Sequence, residues 1–207
     1  YLQLGRYDDA RRVLDHLDSM KNLLAADFKG SYAATAMPVR FAVEQNQWDV
    51  AAKIEPISES PAQVAAIAVW ARGQGRTRRK QAADASGEIA DLQKLENEVH
   101  RNGDDYWAAQ VGIMGEEVAA WNALANSRPA EAETLMRKAA DEEDAMEKSP
   151  ATPGPVVPAR EQLGELLLQQ HRPADAMVAF RISLVNAPGR RGSIEGLSQA
   201  VQLVTEK

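Results

Sequence analysis

The side chains of this sequence that are suited to chemistry form no familiar catalytic pattern. Its three histidines are His16, His100 and His171. None belongs to a His-Glu-x-x-His motif, and the neighbours Glu96 and His100 are one pair, which does not make a metal site. The glycines at positions 73 and 75 follow a predicted helix rather than a strand, which argues against a phosphate-binding loop. There is no Gly-x-Ser-x-Gly nucleophile turn. The sequence therefore predicts no enzyme activity, no metal ion and no cofactor.

A cluster of basic residues is the second chemical feature. Its members are Arg76, Arg78, Arg79 and Lys80. Such a cluster is compatible with phosphate or nucleic-acid contact, but no aromatic residue is interleaved to stack on bases. The net charge of −6 also argues against a nucleic-acid partner. We interpret the cluster as the solvated start of a helix, balanced by the acidic run 141–144 in this chain or in a neighbouring molecule.

The length and composition are typical of a globular protein, and no segment of the sequence is predicted to span a membrane. Apolar residues make up 44% and charged residues 26% of the 207 positions, which allows one large domain or a run of modules. No apolar run approaches the roughly 20 residues that cross a bilayer. The absence of cysteine fits any cellular compartment. Because the chain begins at Tyr1, without Met and within a repeat, we expect it to be the C-terminal part of a longer protein.

A short pattern that recurs four times predicts the architecture. Each copy has a small or polar turn residue, a ring residue two positions later, an acidic residue, and an alanine five positions after the turn residue; in the second copy the acid comes one place early. The turn residues are Gly5, Asn46, Ser127 and His171, and the alanines are Ala10, Ala51, Ala132 and Ala176. The middle gap is about twice the others, which predicts a hidden unit in residues 61–101. Such repetition is typical of stacked helical hairpins, which bind other chains more often than they catalyse.

Helix signals along the chain agree with this interpretation, and no sustained alternation predicts a strand. The predicted helices are 6–20, 32–45 (kinked or restarted at Pro38), 61–71 (capped by Ser60 and ended by the glycines at 73 and 75), 76–100, 105–126, 128–148, 158–170, 172–186 and 193–205. Four prolines in residues 149–158 predict an extended loop. In one helix the stripe from Trp107 through Met114 to Trp121 is interpreted as buried packing rather than an exposed binding strip.

The last full unit resembles a tetratricopeptide repeat. The residues that match the family's spacing are Leu163, Gly164, Leu167, Ala176, Phe180, Ser183 and Pro188, and Tyr1, Ala10 and Leu14 fit the second half of another unit. The unit around Ala51 departs from the pattern, with Pro38 where leucine belongs, and the unit around Ala132 lacks the Leu-Gly pair. Residues 139–164 also resemble a run in bacterial tetratricopeptide proteins of unassigned role, which implies a bacterial origin.

The resemblance implies an all-α fold: a right-handed superhelix of about five antiparallel helix pairs, a tetratricopeptide-like α-solenoid with a C-terminal capping helix. The chain would be a single array, truncated at its N-terminus. Its units would be 1–20, 32–54, 61–101, 104–148 and 156–187, with the cap at 190–206. The polar residues Gln199, Gln202, Glu206 and Lys207 suit the wetted face of a cap.

The resemblance also implies a groove along the first helices of the pairs. The residues expected there are Arg40, Glu44, Glu117, Trp121, Leu124, Glu161, Glu165 and Gln169, with Arg160 just behind the proline-rich loop. Such a groove would bind a protein or peptide with basic and apolar side chains, and the chain would act as a scaffold or adaptor. An ordinary solvated helix face is the alternative interpretation of the same residues. Two other functions stay open: a regulatory or positioning region of a larger protein whose catalytic or effector domain lies upstream, and a small-ligand pocket near Arg40, Trp121 and Arg160, walled by the proline-rich loop.

Overall fold

The computed structural model describes residues 1–20, 27–79, 83–147 and 155–206, and these residues form helices and no strand. A short 3-10 turn, Leu2–Leu4, comes first. The α-helices are α1 (Tyr7–Ser19), α2 (Phe28–Val43), α3 (Trp48–Ala51), α4 (Ala62–Arg78), α5 (Ser86–Arg101), α6 (Asp105–Ala125), α7 (Pro129–Ala145), α8 (Ala159–Gln169), α9 (Pro173–Asn186) and α10 (Arg191–Thr205). The all-α prediction is confirmed for this part of the chain.

The four copies of the sequence pattern adopt the same turn. The turn residues Gly5, Asn46, Ser127 and His171 all have left-handed backbone angles, with φ of 67°, 54°, 59° and 58°. In every copy the turn residue's N–H donates to the carbonyl three positions back, and the next N–H donates to the carbonyl five positions back. This is the Schellman arrangement that ends a helix. The ring residue then begins the next helix, and the alanine of each copy is buried.

Helices pack against their neighbours in the chain, and alternate helices also touch. The helices α2, α4, α6, α8 and α10, which we call the even row, each contact the next member of the row. The odd-numbered helices α3, α5, α7 and α9 each lie against the two even helices that flank them in sequence. The even row is therefore continuous, and each of these odd helices packs against two successive members of it.

The stripe on α6 is buried, as predicted. Asp104 caps this helix by accepting a hydrogen bond from the N–H of Trp107 at 3.1 Å. Val111 and Val118 are fully buried, and Trp121 is only 2% exposed. Because α6 contacts α4, α5, α7 and α8, its apolar residues join the two largest clusters of the core.

Two predicted helix boundaries are wrong. The glycines at positions 73 and 75 do not end α4, which continues to Arg78. Gly75 instead permits contact with α3, since a Cβ atom there would lie 2.6 Å from the carbonyl oxygen of Trp48. The predicted single helix 76–100 is divided between the end of α4 and α5, which begins at Ser86. Lys80 lies outside the described residues.

Other boundaries shift by a few residues. Helix α2 begins four residues early because the Asp27 carboxylate accepts a hydrogen bond from the N–H of Gly30, and it continues through Pro38 without restarting. Helix α4 has Pro61 rather than Ser60 at its N-cap. Only the last four residues of the predicted loop 149–158 are described.

The last helix has both polar and apolar exposed residues. Gln199 and Gln202 are exposed on α10, and Glu206, which follows the helix, is exposed as well; Lys207 lies outside the described residues. Ile194, Val201 and Val204 are also exposed, however, so the free surface of α10 is not entirely polar. None of the described helices is both long enough and apolar enough to cross a membrane.

Candidate functional site

A cavity of about 450 Å³ lies beside the even row, and we call it the central cavity. Its charged lining residues are Arg40, Arg160, Arg190, Glu143, Asp144 and Glu147. Its uncharged lining residues include Tyr106, Gln110, Pro155, Pro158, Asn186 and Ala187. The lining comes from α2, α6, α7, α8 and α9 and from the segments that follow α7 and α9. The cavity therefore joins parts of the chain that are far apart in sequence.

Residues 155–157, which we call the inner segment, begin at this cavity, where Pro155 is one of the lining residues. The side chains of Val156 and Val157 are only 3% and 6% exposed, and they belong to the core cluster formed mainly by α2, α4 and α6. Arg40 donates hydrogen bonds to the carbonyls of Pro155 at 3.2 Å and Val156 at 3.1 Å. Gln162 donates to the carbonyl of Val157 at 3.2 Å. Three successive main-chain carbonyls are thus bound by helix side chains.

Gln162 is held in one orientation by two donors. The Trp121 indole N–H and the Gln74 amide both donate to its side-chain oxygen, at 3.0 Å and 2.9 Å. Because that oxygen accepts two hydrogen bonds, the amide nitrogen of Gln162 faces the inner segment as a donor. Gln74 and Gln162 are fully buried, so these hydrogen bonds hold the Gln162 side chain in one orientation.

A buried ion cluster joins the two ends of the described chain. The Arg190 guanidinium, which precedes α10, binds Glu44 of α2 at 2.6 Å and Glu161 of α8 through two nitrogens, at 2.5 and 3.2 Å. Ser193 donates to the same Glu161 carboxylate at 2.5 Å. The Arg191 N–H also donates to Gln3 at 2.8 Å. We call Arg190, Glu44 and Glu161 the closing cluster, because it ties the beginning of the even row to its end.

A second ion cluster surrounds Arg160 at the start of α8. Its guanidinium binds Asp144 at 2.6 Å and Asp141 at 2.6 Å, both on α7. The carboxylate of Glu143 accepts a hydrogen bond from the N–H of Ala159 at 3.2 Å, where a carboxylate favours the exposed donors of a helix start. Charges of the acidic run 141–144 are therefore balanced within the chain, by Arg160 and the start of α8.

The described part of the basic cluster is not a solvated helix start. Arg76 and Arg78 lie in the last turn of α4. The Arg78 guanidinium lies between the rings of Trp48 and Trp121, 4.0 and 4.1 Å from their centroids, and forms an ion pair with Glu165. The two indole faces and the Glu165 carboxylate therefore supply favourable contacts to a guanidinium whose side chain is only 9% exposed. Burial raises the pKa of Glu165, although the charge of Arg78 opposes this effect.

Glu117 is a buried acid on α6. It accepts a hydrogen bond from the indole N–H of Trp70 at 2.5 Å. Burial raises the pKa of Glu117 well above its usual range, and the nearby Glu143 carboxylate raises it further. The folded chain therefore holds a proton on Glu117 more tightly than a solvated glutamate would, and among the described residues no neighbouring group forms a catalytic pattern with it.

Most of the predicted groove residues lie close together and already have partners. Arg40, Glu44, Glu117, Trp121, Arg160, Glu161 and Glu165 all form hydrogen bonds or ion pairs within the chain. Gln169 is exposed at the end of α8, and Leu124 packs at the edge of the core. Sequence reasoning missed Arg190, Gln162 and Tyr106. Of these three, only Arg190 could have been suspected from the sequence, because it is a charged residue directly after the Pro188-Gly189 pair that ends the preceding helix.

Other features give no stronger candidate. A groove of about 700 Å³ lies between α5 and α7 over α6, and the ion pair of Lys138 with Glu116 is among its lining residues. The described residues contain no group of three or more metal-binding side chains. His16 and His171 are exposed, and His100 contacts exposed Asp105 at 2.9 Å.

The central cavity, the inner segment and the closing cluster together form the best-defined site of the described chain. Comparison of the chain with models of protein families, with curated proteins and with solved structures finds no match.

Proposed function

We propose that the chain is an interaction module that binds a peptide segment of a partner protein in the central cavity. We propose further that its helices form a tetratricopeptide-like array, a right-handed superhelix of about five antiparallel pairs in which α10 is the terminal cap. The identical turns of the four pattern copies support this arrangement. The contacts between successive members of the even row support it as well.

One observation carries the proposal about binding: the even row already holds a piece of non-helical chain. The inner segment is bound by hydrogen bonds to three successive carbonyls and by burial of two valine side chains. Main-chain hydrogen bonds combined with side-chain pockets are a general mode of peptide recognition. The central cavity continues this surface next to the inner segment.

The charges around the cavity favour a peptide over a purely apolar ligand. Three guanidinium groups and three carboxylates line it, and most of them are held in place by the ion clusters described above. Groups held in this way lose little conformational freedom when a ligand binds. A peptide can offer amides, carbonyls and charged side chains of both signs to such a surface.

A peptide library displayed on phage and selected on the purified protein tests this function. Isothermal titration then gives the affinity of a selected peptide for the unchanged protein and for two variants. Ala187→Trp fills the cavity with an indole ring, whereas Ala174→Trp makes the same change at an exposed position of α9, the helix that Ala187 follows. We expect Ala187→Trp to weaken binding by at least about tenfold, or about 1.4 kcal/mol, and Ala174→Trp to have little effect.

Two outcomes would contradict the proposal. One is that no peptide is selected. The other is that selected peptides bind both variants equally well while both variants remain helical by circular dichroism.

A further inference from the structure

We infer that the inner segment is a built-in ligand: it occupies part of the peptide site and is replaced by a partner peptide that carries two adjacent β-branched residues. This inference rests on the proposed function, because it concerns the same surface. It adds the partner's chemistry and a means of regulation. The inner segment, which is bound in the site, is the evidence for both.

The polar contacts of the inner segment do not depend on its side chains. Arg40 and Gln162 bind only main-chain carbonyls of Pro155, Val156 and Val157. Any peptide that follows the same path presents the same carbonyls. The donors are also fixed in advance, since Trp121 and Gln74 orient Gln162. A replacement peptide therefore meets donors that are already in position.

The apolar contacts set the side-chain preference. Val156 and Val157 are adjacent, and both are buried among residues of the even row that include Val39, Trp70 and Met114. A β-branched side chain has few rotamers, so it loses little freedom on burial. Polar side chains at these two positions would lose their hydration without gaining partners. The site therefore favours a Val-Val or Ile-Val pair.

Tethering explains how the inner segment keeps the site closed. A ligand that is part of the same chain has a high effective concentration at its site. A free peptide of equal quality then competes poorly until the inner segment is weakened or released. The closed state is thus the resting state, and exposure of the site depends on displacement of residues 155–157.

The double variant Val156→Ser/Val157→Ser tests this inference by emptying the two pockets. The probe is an acetylated and amidated Pro-Val-Val-Pro peptide, and the matched probe is Pro-Ser-Ser-Pro. The indole N–H of Trp121 reports binding in a nitrogen–proton spectrum, because it is linked to Val157 through Gln162. Val178→Ser/Val185→Ser makes the same change at exposed valines.

We expect Pro-Val-Val-Pro to bind the Val156→Ser/Val157→Ser protein with at least about tenfold higher affinity than the unchanged protein, as measured from the shift of the Trp121 signal. The Val178→Ser/Val185→Ser protein should behave like the unchanged protein, and Pro-Ser-Ser-Pro should bind neither. Equal binding by all three proteins, or no binding by a folded Val156→Ser/Val157→Ser variant, would overturn the inference.

Hydrogen exchange of the unchanged protein decides the matter if that variant does not fold. A built-in ligand must leave its site without unfolding the array, so the side-chain amide of Gln162, which donates to the Val157 carbonyl, should exchange through a smaller opening than the main-chain amide of Val118 in α6. Exchange of both amides through the same global unfolding would refute the inference. The proposed function would survive that result if selected peptides still bind the central cavity and Ala187→Trp still blocks them.

Discussion

Removing the Arg190 side chain should destabilise the fold strongly, because two buried carboxylates lose their shared partner. The side chains of Glu44 and Glu161 are only 8% and 2% exposed, and Arg190 is 12% exposed. Breaking a buried ion pair from one side costs about 3–5 kcal/mol. We expect Arg190→Met, which keeps the apolar stem, to lose about that much of the free energy of unfolding. This is a large part of the 5–15 kcal/mol typical of a folded domain.

Urea denaturation followed by circular dichroism measures this loss. At a slope of about 2 kcal/mol per molar urea, the midpoint should fall by about 2 M. Arg172→Met is the matched control, since Arg172 is 40% exposed and pairs with Glu133 and Asp175 near the surface. The control should cost no more than about 1 kcal/mol.

A second substitution tests the physical reason for the loss. Glu161→Gln added to Arg190→Met removes one unpaired charge, so the double variant should recover about 2 kcal/mol relative to Arg190→Met alone. If Arg190→Met cost no more than Arg172→Met, or if Glu161→Gln made matters worse, the closing cluster would not be buried in solution and this reasoning would fail.

Three further predictions concern the core. The Glu117→Gln variant should be more stable than the unchanged protein at neutral pH. Burial raises the pKa of Glu117, so the folded chain holds the proton more tightly than the unfolded chain, in which the pKa is about 4.3. The difference in the free energy of unfolding should therefore be absent below about pH 4 and should grow as the pH rises. Urea titrations at several pH values would show this, and a margin independent of pH would contradict it. Phe180→Ala should cost about 3–5 kcal/mol of stability, because the ring is fully buried against Gly164 and Gly196. The control Val185→Ala, at an exposed position, should change stability by less than about 0.5 kcal/mol. Equal changes in Tm for the two variants would refute this packing. Gln162→Leu should cost at least about 2 kcal/mol in urea denaturation, since the donors of Trp121 and Gln74 lose their acceptor; a neutral effect would count against the network.

The repeated turns could be predicted from sequence because their determinants are local. A left-handed residue, a ring residue at the next helix start and a buried alanine all lie within six positions, as in the copy from Ser127 to Ala132. Prolines and capping residues such as Asp104 fixed several helix starts for the same reason.

Boundaries that depend on packing could not be predicted in this way. Gly75 looks like a helix breaker when only its neighbours in sequence are considered. Its role is set by the carbonyl of Trp48, which reaches it from another helix. A single sequence contains no sign of that approach.

Individual residues of the candidate site could be predicted from the sequence, but their arrangement could not. The resemblance to tetratricopeptide repeats placed Arg40, Glu44 and Glu161 on one surface, but it gave no sign that Arg190 would cover them. Glu44 and Arg190 are 146 positions apart, and no periodic pattern links them. The groove was therefore predicted as open, whereas its residues are occupied by the chain itself.

Closure of the even row is the central claim of this account, and paramagnetic relaxation tests it most directly. The chain has no cysteine, so Glu195→Cys accepts a single spin label at an exposed position of α10. Glu195 lines the same small pocket as Asn46 and Trp48. We predict that the amide signals of Asn46 and Trp48 disappear with the oxidised label and return when it is reduced. Full intensity of both signals with the oxidised label would mean that α10 does not lie beside the segment joining α2 to α3, and that the even row is not closed.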